Sequence, residues 1–339
     1  MVGTHAHLVA AFTLVWSQPA VGLGQSARKW PETTRPSDHP SSFATTFRQR
    51  RETGCWTWGV VTVPEEVAGY LDAVTARVCD IFDDCAVGVY TTGSLALGGY
   101  RPGRSDIDLM AVVTGSAGLD LRRPLVRELD HRVLACPAAG LEFVLYPITT
   151  VSRPTVDAGY LLNFNTGPAL PPVTSFDPGD GPAFWYAIDR AITRQSGASL
   201  YGPPAQQLFA AVPFEDLLRI VIAAVEAHGD PDKEHLLDNA VHNGCRALTF
   251  AQDQRWYAKV DAAERMLPMA GEFAPLVSAA IGSFGSGRQH AQTLNPEAVR
   301  AFLFDVLHKL RSALRIELSK SVKHQSLGQA SSGEITQME

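Results

Sequence analysis

Apolar and polar positions change period along this chain, and the change divides it in two. From Ala86 to Tyr146 short apolar runs alternate with turn residues, and Ala86–Tyr90, Ile107–Val113 and Leu141–Tyr146 read as strands. A helix pattern precedes them. Val67, Leu71, Val74, Val78 and Ile81 recur at helical spacing behind Pro64 and the pair Glu65-Glu66. Proline suits a first turn, and carboxylates suit the positive end of the helix dipole. The pattern predicts an end near Asp83-Asp84. Leu121–Ala135 is a second helical stretch, with Pro124 near its start, and Leu161–Phe164 is one more strand. The Pro/Gly-rich residues 166–182 read as a connecting loop. Beyond them the period is helical: 184–193, 214–227, 235–251, 259–269, 272–281 and 296–318. In the last, Asn295 is an N-cap candidate ahead of Pro296, and Phe302, Val306, Leu310 and Leu314 recur at i+4. No internal repeat is visible.

The two ends read differently. Leu8–Trp16 is an apolar run of signal-peptide length, but no Lys or Arg precedes it and no small-x-small cleavage site follows. It is too short to span a bilayer. The expectation is a poorly ordered extension, or a start placed too far upstream, on a cytoplasmic protein. Residues 17–54 are rich in Ser, Pro, Thr and Arg and read as a disordered linker. The polar stretch from Lys320 reads as a disordered tail. The expected organisation is therefore an extension over 1–58, a mixed α/β domain over 59–165, an all-helical domain over 166–319 and a tail over 320–339.

The chemistry concentrates between Tyr90 and Met110, YTTGSLALGGYRPGRSDIDLM. Asp106 and Asp108 are two apart, so on a strand both point to one face while Ile107 points to the other. Two parallel carboxylates need a cationic partner, and Mg²⁺ bridging to a nucleotide's phosphates is the commonest. Upstream, Gly93 lets the backbone approach a phosphate and Ser94 offers a hydroxyl. Gly98, Gly99 and Gly103 link this turn back to the Asp strand. Glu142 stands in an otherwise apolar strand. It is either an edge carboxylate facing water or a third carboxylate brought beside Asp106 and Asp108 by a neighbouring strand.

Composition narrows the partners. With 339 residues, 45% hydrophobic and 19% charged, the chain has the make-up of a globular protein large enough for two domains. A formal net charge of −6 is the wrong sign for a nucleic-acid partner and suits a cationic small substrate. Cys55, Cys79, Cys85, Cys136 and Cys245 are scattered, with no zinc-like spacing, and read as reduced packing thiols.

The string GS-x₁₀-SDIDL resembles the signature of the nucleotidyltransferase superfamily, whose fold is polymerase-β-like. The order GS…SDIDL, LEFVLY and then SGASLYGPPAQQLFAAVP is similar to that of the streptomycin/spectinomycin adenylyltransferases of the AadA type, with Gly202-Pro203 and Val212-Pro213 opening the helical part. The resemblance covers roughly 90–318. It implies an α+β chain, a polymerase-β-like nucleotidyltransferase domain followed by an all-α helical bundle. It also implies transfer of AMP from ATP to a hydroxyl of an aminoglycoside or aminocyclitol, conferring resistance. By the same resemblance Asp106 and Asp108 hold Mg²⁺ (two ions), joined by Glu142, which is also the catalytic base. Gly93, Ser94 and Ser105 contact phosphates. Lys259 contacts ATP, at the family's spacing from Asn239. Asp232, Asp238 and Asn239 face the acceptor, with Glu226 and Glu234 as further carboxylates. A monomer without nucleic-acid or membrane partners follows.

The chain also departs from the family. Leu162-Asn163-Phe164-Asn165 lacks the Trp that lines the drug site in streptomycin acceptors, Leu236 stands where an Asp is expected, and Ser283 or Phe284 replaces an aromatic near the adenine. Spectinomycin is thereby favoured over streptomycin. Two rival readings keep part of the fold: a nucleotidyltransferase with a protein or tRNA acceptor, of toxin–antitoxin type, and a non-catalytic nucleotide-binding module. A basic stripe would mark the tRNA enzyme, and a binding module has no need of Glu142.

Overall fold

The computed structural model describes residues 48–50, 55–58, 61–115, 117–228, 237–286 and 293–333. Three short strands open the chain, β1 (Arg48–Arg50), β2 (Cys55–Trp58) and β3 (Val61–Pro64), paired antiparallel in the order β1-β2-β3. The first two lie inside the stretch that composition reads as an extension; the apolar run 8–16 lies outside the described residues. There follow α1 (Glu65–Phe82), β4 (Ala86–Thr91), α2 (Gly93–Ala96), β5 (Ile107–Val113), α3 (Leu119–Leu129), β6 (Leu141–Pro147), α4 (Ile148–Val151), β7 (Leu162–Thr166), β8 (Val173–Ser175), α5 (Ala183–Ser196) and β9 (Ser199–Tyr201). The chain then runs helical through α6 (Ala205–Leu208), α7 (Phe214–Ala227), α8 (Leu237–Asp253), α9 (Lys259–Met266), α10 (Ala274–Gly285) and α11 (Pro296–Gly333).

The main sheet has six strands in the order β8-β7-β6-β5-β4-β9. β5 and β6 are parallel and every other pair is antiparallel. Alternation sends each strand's residues to two cores. Ile107, Leu109, Ala111 and Val113, with Leu141, Phe143 and Leu145, pack on Leu71, Val74, Leu125 and Leu129 of α1 and α3. Met110, Val112, Val144 and Tyr146, with Tyr90, pack under Tyr186 of α5 and Phe209. A third core is helical, built from Leu218, Val221, Val241, Cys245, Phe302 and Val306 among others. Residues 43–339 form one compact unit.

Four local features differ from the sequence reading. The helix expected over 121–135 stops at Leu129, because the Asp130 carboxylate accepts from the Arg132 backbone N–H at 3.0 Å and so closes a turn. The loop 166–182 contains β8, held where the Ser175 hydroxyl donates to Asp180 at 2.6 Å. β9 adds an edge strand. There Gly202 (φ +84°) passes so close to the Val87 carbonyl oxygen that a Cβ would meet it at 2.2 Å, so Gly-Pro at this point is a steric requirement. Finally, α11 runs to Gly333, past Lys320, in a segment that contains no proline to stop it. The four cysteines with described side chains, Cys79, Cys85, Cys136 and Cys245, are free thiols. Among the described residues no helix is long and apolar enough to cross a membrane.

Candidate active site

The parallel pairing of β5 with β6 builds the site. Asp108 and Glu142 are direct Cα partners in the register, each second in its strand, and Asp106 lies just before β5. Their parity puts them on the sheet face covered by α5, at the open end beyond Met110 and Val144. All three carboxylates line one cleft of about 1090 Å³. The Glu142 left open by the sequence is thus a carboxylate beside Asp108 and not a separate edge residue.

The Gly93-Ser94 turn closes on the same carboxylates. The Thr92 N–H donates to the Asp108 carbonyl oxygen at 3.0 Å, and Gly93 sits at φ +53°. A Cβ there would lie 2.0 Å from Asp108 Oδ2, so only glycine lets the turn pass the carboxylate. Ser94 Oγ is shielded and has no hydrogen-bond partner among the described residues, a hydroxyl left for a ligand. Ser105 is held by the loop itself: its hydroxyl accepts from the Arg101 N–H at 3.1 Å and its own N–H donates to the Arg101 carbonyl at 2.9 Å.

The helical part supplies the cations. Lys259 begins α9, lines the cleft and points its ammonium at Asn239 Oδ1, 3.4 Å away. Arg246 lines the cleft from α8. Neither makes a salt bridge among the described residues, although both face carboxylates. Burial and the neighbouring Arg246 push the Lys259 ammonium below its ordinary range, against the pull of Asp106, Asp108 and Glu142. Burial likewise lowers Arg246, opposed by Asp189 and Asp108. Asn239, Asn243 and Arg246 are spaced i, i+4, i+7 along α8 and all line the cleft. This polar stripe on a helix otherwise buried at Ala240, Val241 and Cys245 was the signal that could have found Arg246.

Not every expected residue joins the cleft. Asp238 is 1% exposed, and its Oδ2 accepts from Arg104 Nη2 at 2.7 Å and from the Ser283 hydroxyl at 2.8 Å. It is absent from the cleft lining, as is Glu226, whose carboxylate pairs with Arg311 at 2.7 Å on the surface. Asp232 and Glu234 lie outside the described residues. Sequence reasoning also missed Asp189. This residue of α5 lines the cleft, and its carboxyl is pushed up to about 6, first by burial, with Arg246 the largest opposing charge.

The donor set bears on a metal. Asp108 stands well above the usual carboxylate range, because of burial first and then the like charges of Asp106, Glu142 and Asp189, with Lys259 pulling it down. Among the described residues no group of three His, Cys, Asp or Glu is arranged to enclose a metal ion. The donors are nonetheless hard oxygens crowded at one cleft end, which fits Mg²⁺ completed by phosphate oxygens better than it fits a metal held by protein alone.

No family model and no curated protein sequence matches the chain. Among solved structures it is similar to the crystal structure of spectinomycin adenyltransferase AAD(9) from Enterococcus faecialis with ATP and spectinomycin. The TM-score is 0.56 at 15% identity, over 72% of this chain and 99% of that one. At that identity the likeness is one of fold alone, and this chain's own fold is α+β.

Proposed function

We propose that the protein transfers AMP from ATP to a hydroxyl of a cationic aminocyclitol or aminoglycoside, spectinomycin before streptomycin. The observation that carries this reading is the pairing of opposites in one cleft. Asp108 and Glu142 stand in register on adjacent strands, and Arg246 and Lys259 face them without salt bridges of their own among the described residues. The carboxylates suit a metal and a proton, and the cations suit phosphates.

Asp106 and Asp108 would hold Mg²⁺, which when bound neutralises phosphate charge. Lys259 and Arg246 bind the anionic triphosphate, and Ser94 Oγ donates to a phosphate oxygen. Glu142, with Asn165 opposite it on β7, takes the proton of the acceptor hydroxyl. The hydroxyl oxygen bonds to the α-phosphorus, the bond to the bridging oxygen breaks, and pyrophosphate leaves with that electron pair. The place of the missing drug-lining Trp is taken by Asn163 and Asn165, both on the cleft wall, which fits a small hydrogen-bonding acceptor.

The test is Glu142→Gln, assayed by pyrophosphate release from Mg-ATP with spectinomycin. Loss of turnover with ATP binding retained supports the base. Unchanged turnover removes Glu142 as the base and leaves the transfer standing; no pyrophosphate release by the parent protein removes the transfer reading itself.

A further inference from the structure

The nucleotide contacts proposed above leave the wall of the cleft made by α5 unassigned. Trp185 and Asp189 are four apart on this helix, so their side chains share one face, and both line the cleft. Trp185 is 37% exposed. Other large exposed apolar side chains, such as Phe304 and Ile316, lie on α11 and away from the cleft, whereas Trp185 faces into it. The edge of His228 lies against its ring, with centroids 5.0 Å apart, and steadies it. Asp189 is anchored by its backbone, whose carbonyl accepts from the Thr92 hydroxyl at 3.1 Å, but its carboxylate accepts no hydrogen bond among the described residues.

The neighbouring cation does not serve it. Arg190 turns to the other side of α5 and donates to the carbonyls of Ala158, Thr155 and Asp157 at 3.1, 3.0 and 2.7 Å. Arg246 is the strongest positive influence on Asp189, and it is also one of the two cations facing the phosphate end. When an anionic ligand draws on Arg246, Asp189 is left a deep carboxylate in need of another positive charge. Across the cleft stand Glu142, Asn163 and Asn165, offering acceptors and donors for ring hydroxyls.

We infer that Trp185 and Asp189 form an acceptor subsite that receives a protonated amine of a polyhydroxylated ring, with Asp189 as the charge partner and Trp185 as the aromatic wall. This rests on the transfer reading above for the identity of the acceptor. Both are specificity-determining residues, and neither has a part in activating the nucleotide.

The experiment is titration calorimetry of spectinomycin into the full chain saturated with Mg²⁺ and a non-hydrolysable ATP analogue. Asp189→Asn is expected to weaken spectinomycin by at least about ten-fold, the range of one lost charge-assisted hydrogen bond. Trp185→Ala is expected to weaken it about three-fold. Asp189→Glu should recover most of the loss, and affinity for the analogue should fall by no more than about two-fold in any of the three. Unchanged spectinomycin affinity in Asp189→Asn overturns the inference. So does a parallel loss of analogue affinity, or failure of the parent protein to bind spectinomycin. Binding without AMP transfer would sink the transfer reading and leave the subsite standing; transfer with variants that bind normally would do the reverse.

Discussion

The buried pair Arg104–Asp238 joins the glycine loop to the helical core, and cutting it should cost more than any surface ion pair in the molecule. The two side chains are 3% and 1% exposed, with Nη2 and Oδ2 2.7 Å apart. Ser283 adds a second donor to the same oxygen, and the Arg104 guanidinium lies 4.7 Å from the Phe284 ring centroid. Asp238→Leu leaves a desolvated guanidinium without its carboxylate, and Arg104→Met leaves a desolvated carboxylate with one hydroxyl. Each single change should cost about 3–5 kcal/mol. The double variant removes both charges and should lie within about 1 kcal/mol of the parent or above it, a coupling energy of several kcal/mol. Urea unfolding of the four proteins, followed by tryptophan fluorescence, completes the cycle. Arg104 immediately precedes Ser105 and Asp106, so the double variant should also be folded yet slow in AMP transfer. Single variants within about 0.5 kcal/mol of the parent, the range of an exposed pair, would refute the reasoning. So would a double variant as unstable as the two singles summed.

Gly93→Ala combines a positive φ with a Cβ 2.0 Å from Asp108 Oδ2; it should lose about 2 kcal/mol or more in unfolding free energy and nearly all turnover, and a crystal structure with an unmoved Asp108 would contradict the cause. Lys259→Ala and Arg246→Ala should each raise KM for ATP by about ten-fold or more while leaving KM for the acceptor little changed, as initial rates at varied ATP would show. The Asp189 carboxyl is raised to about 6 from 3.8, so the folded state loses stability as pH rises from about 4 to 6 and the penalty persists above. Asp189→Asn should therefore stabilise the ligand-free protein by up to ~3 kcal/mol at pH 8, with the gain vanishing near pH 4; an equal gain at both pH values in thermal melts would exclude the linkage.

The legibility of this chain follows the source of each constraint. β5 and α7 could be read to the residue, because a strand with one carboxylate between apolar neighbours and a helix with a full apolar face carry their own periods. The carboxylates Asp106, Asp108 and Glu142 were visible for the same reason, as charges where the pattern asks for apolar residues. β8 and β9 were not. They are three residues long, too short to show a period, and exist because β7 and β4 offer free edges. The Arg104–Asp238 pair was invisible because its members are 134 positions apart, so that Asp238 read as a carboxylate facing the acceptor. Asp189 hid in the same way, in a helix stretch whose Asp-Arg neighbours resemble a local ion pair. The structure instead sends Arg190 to three carbonyls and Asp189 to the cleft.

The central claim is that this cleft joins AMP to a cationic acceptor's hydroxyl, and mass spectrometry of the product tests it most directly. Incubation of the protein with Mg-ATP and spectinomycin should yield a drug heavier by one AMP less water, with one pyrophosphate released per adduct, and Asp108→Asn should yield neither. Unmodified spectinomycin beside bound, intact ATP would contradict the account.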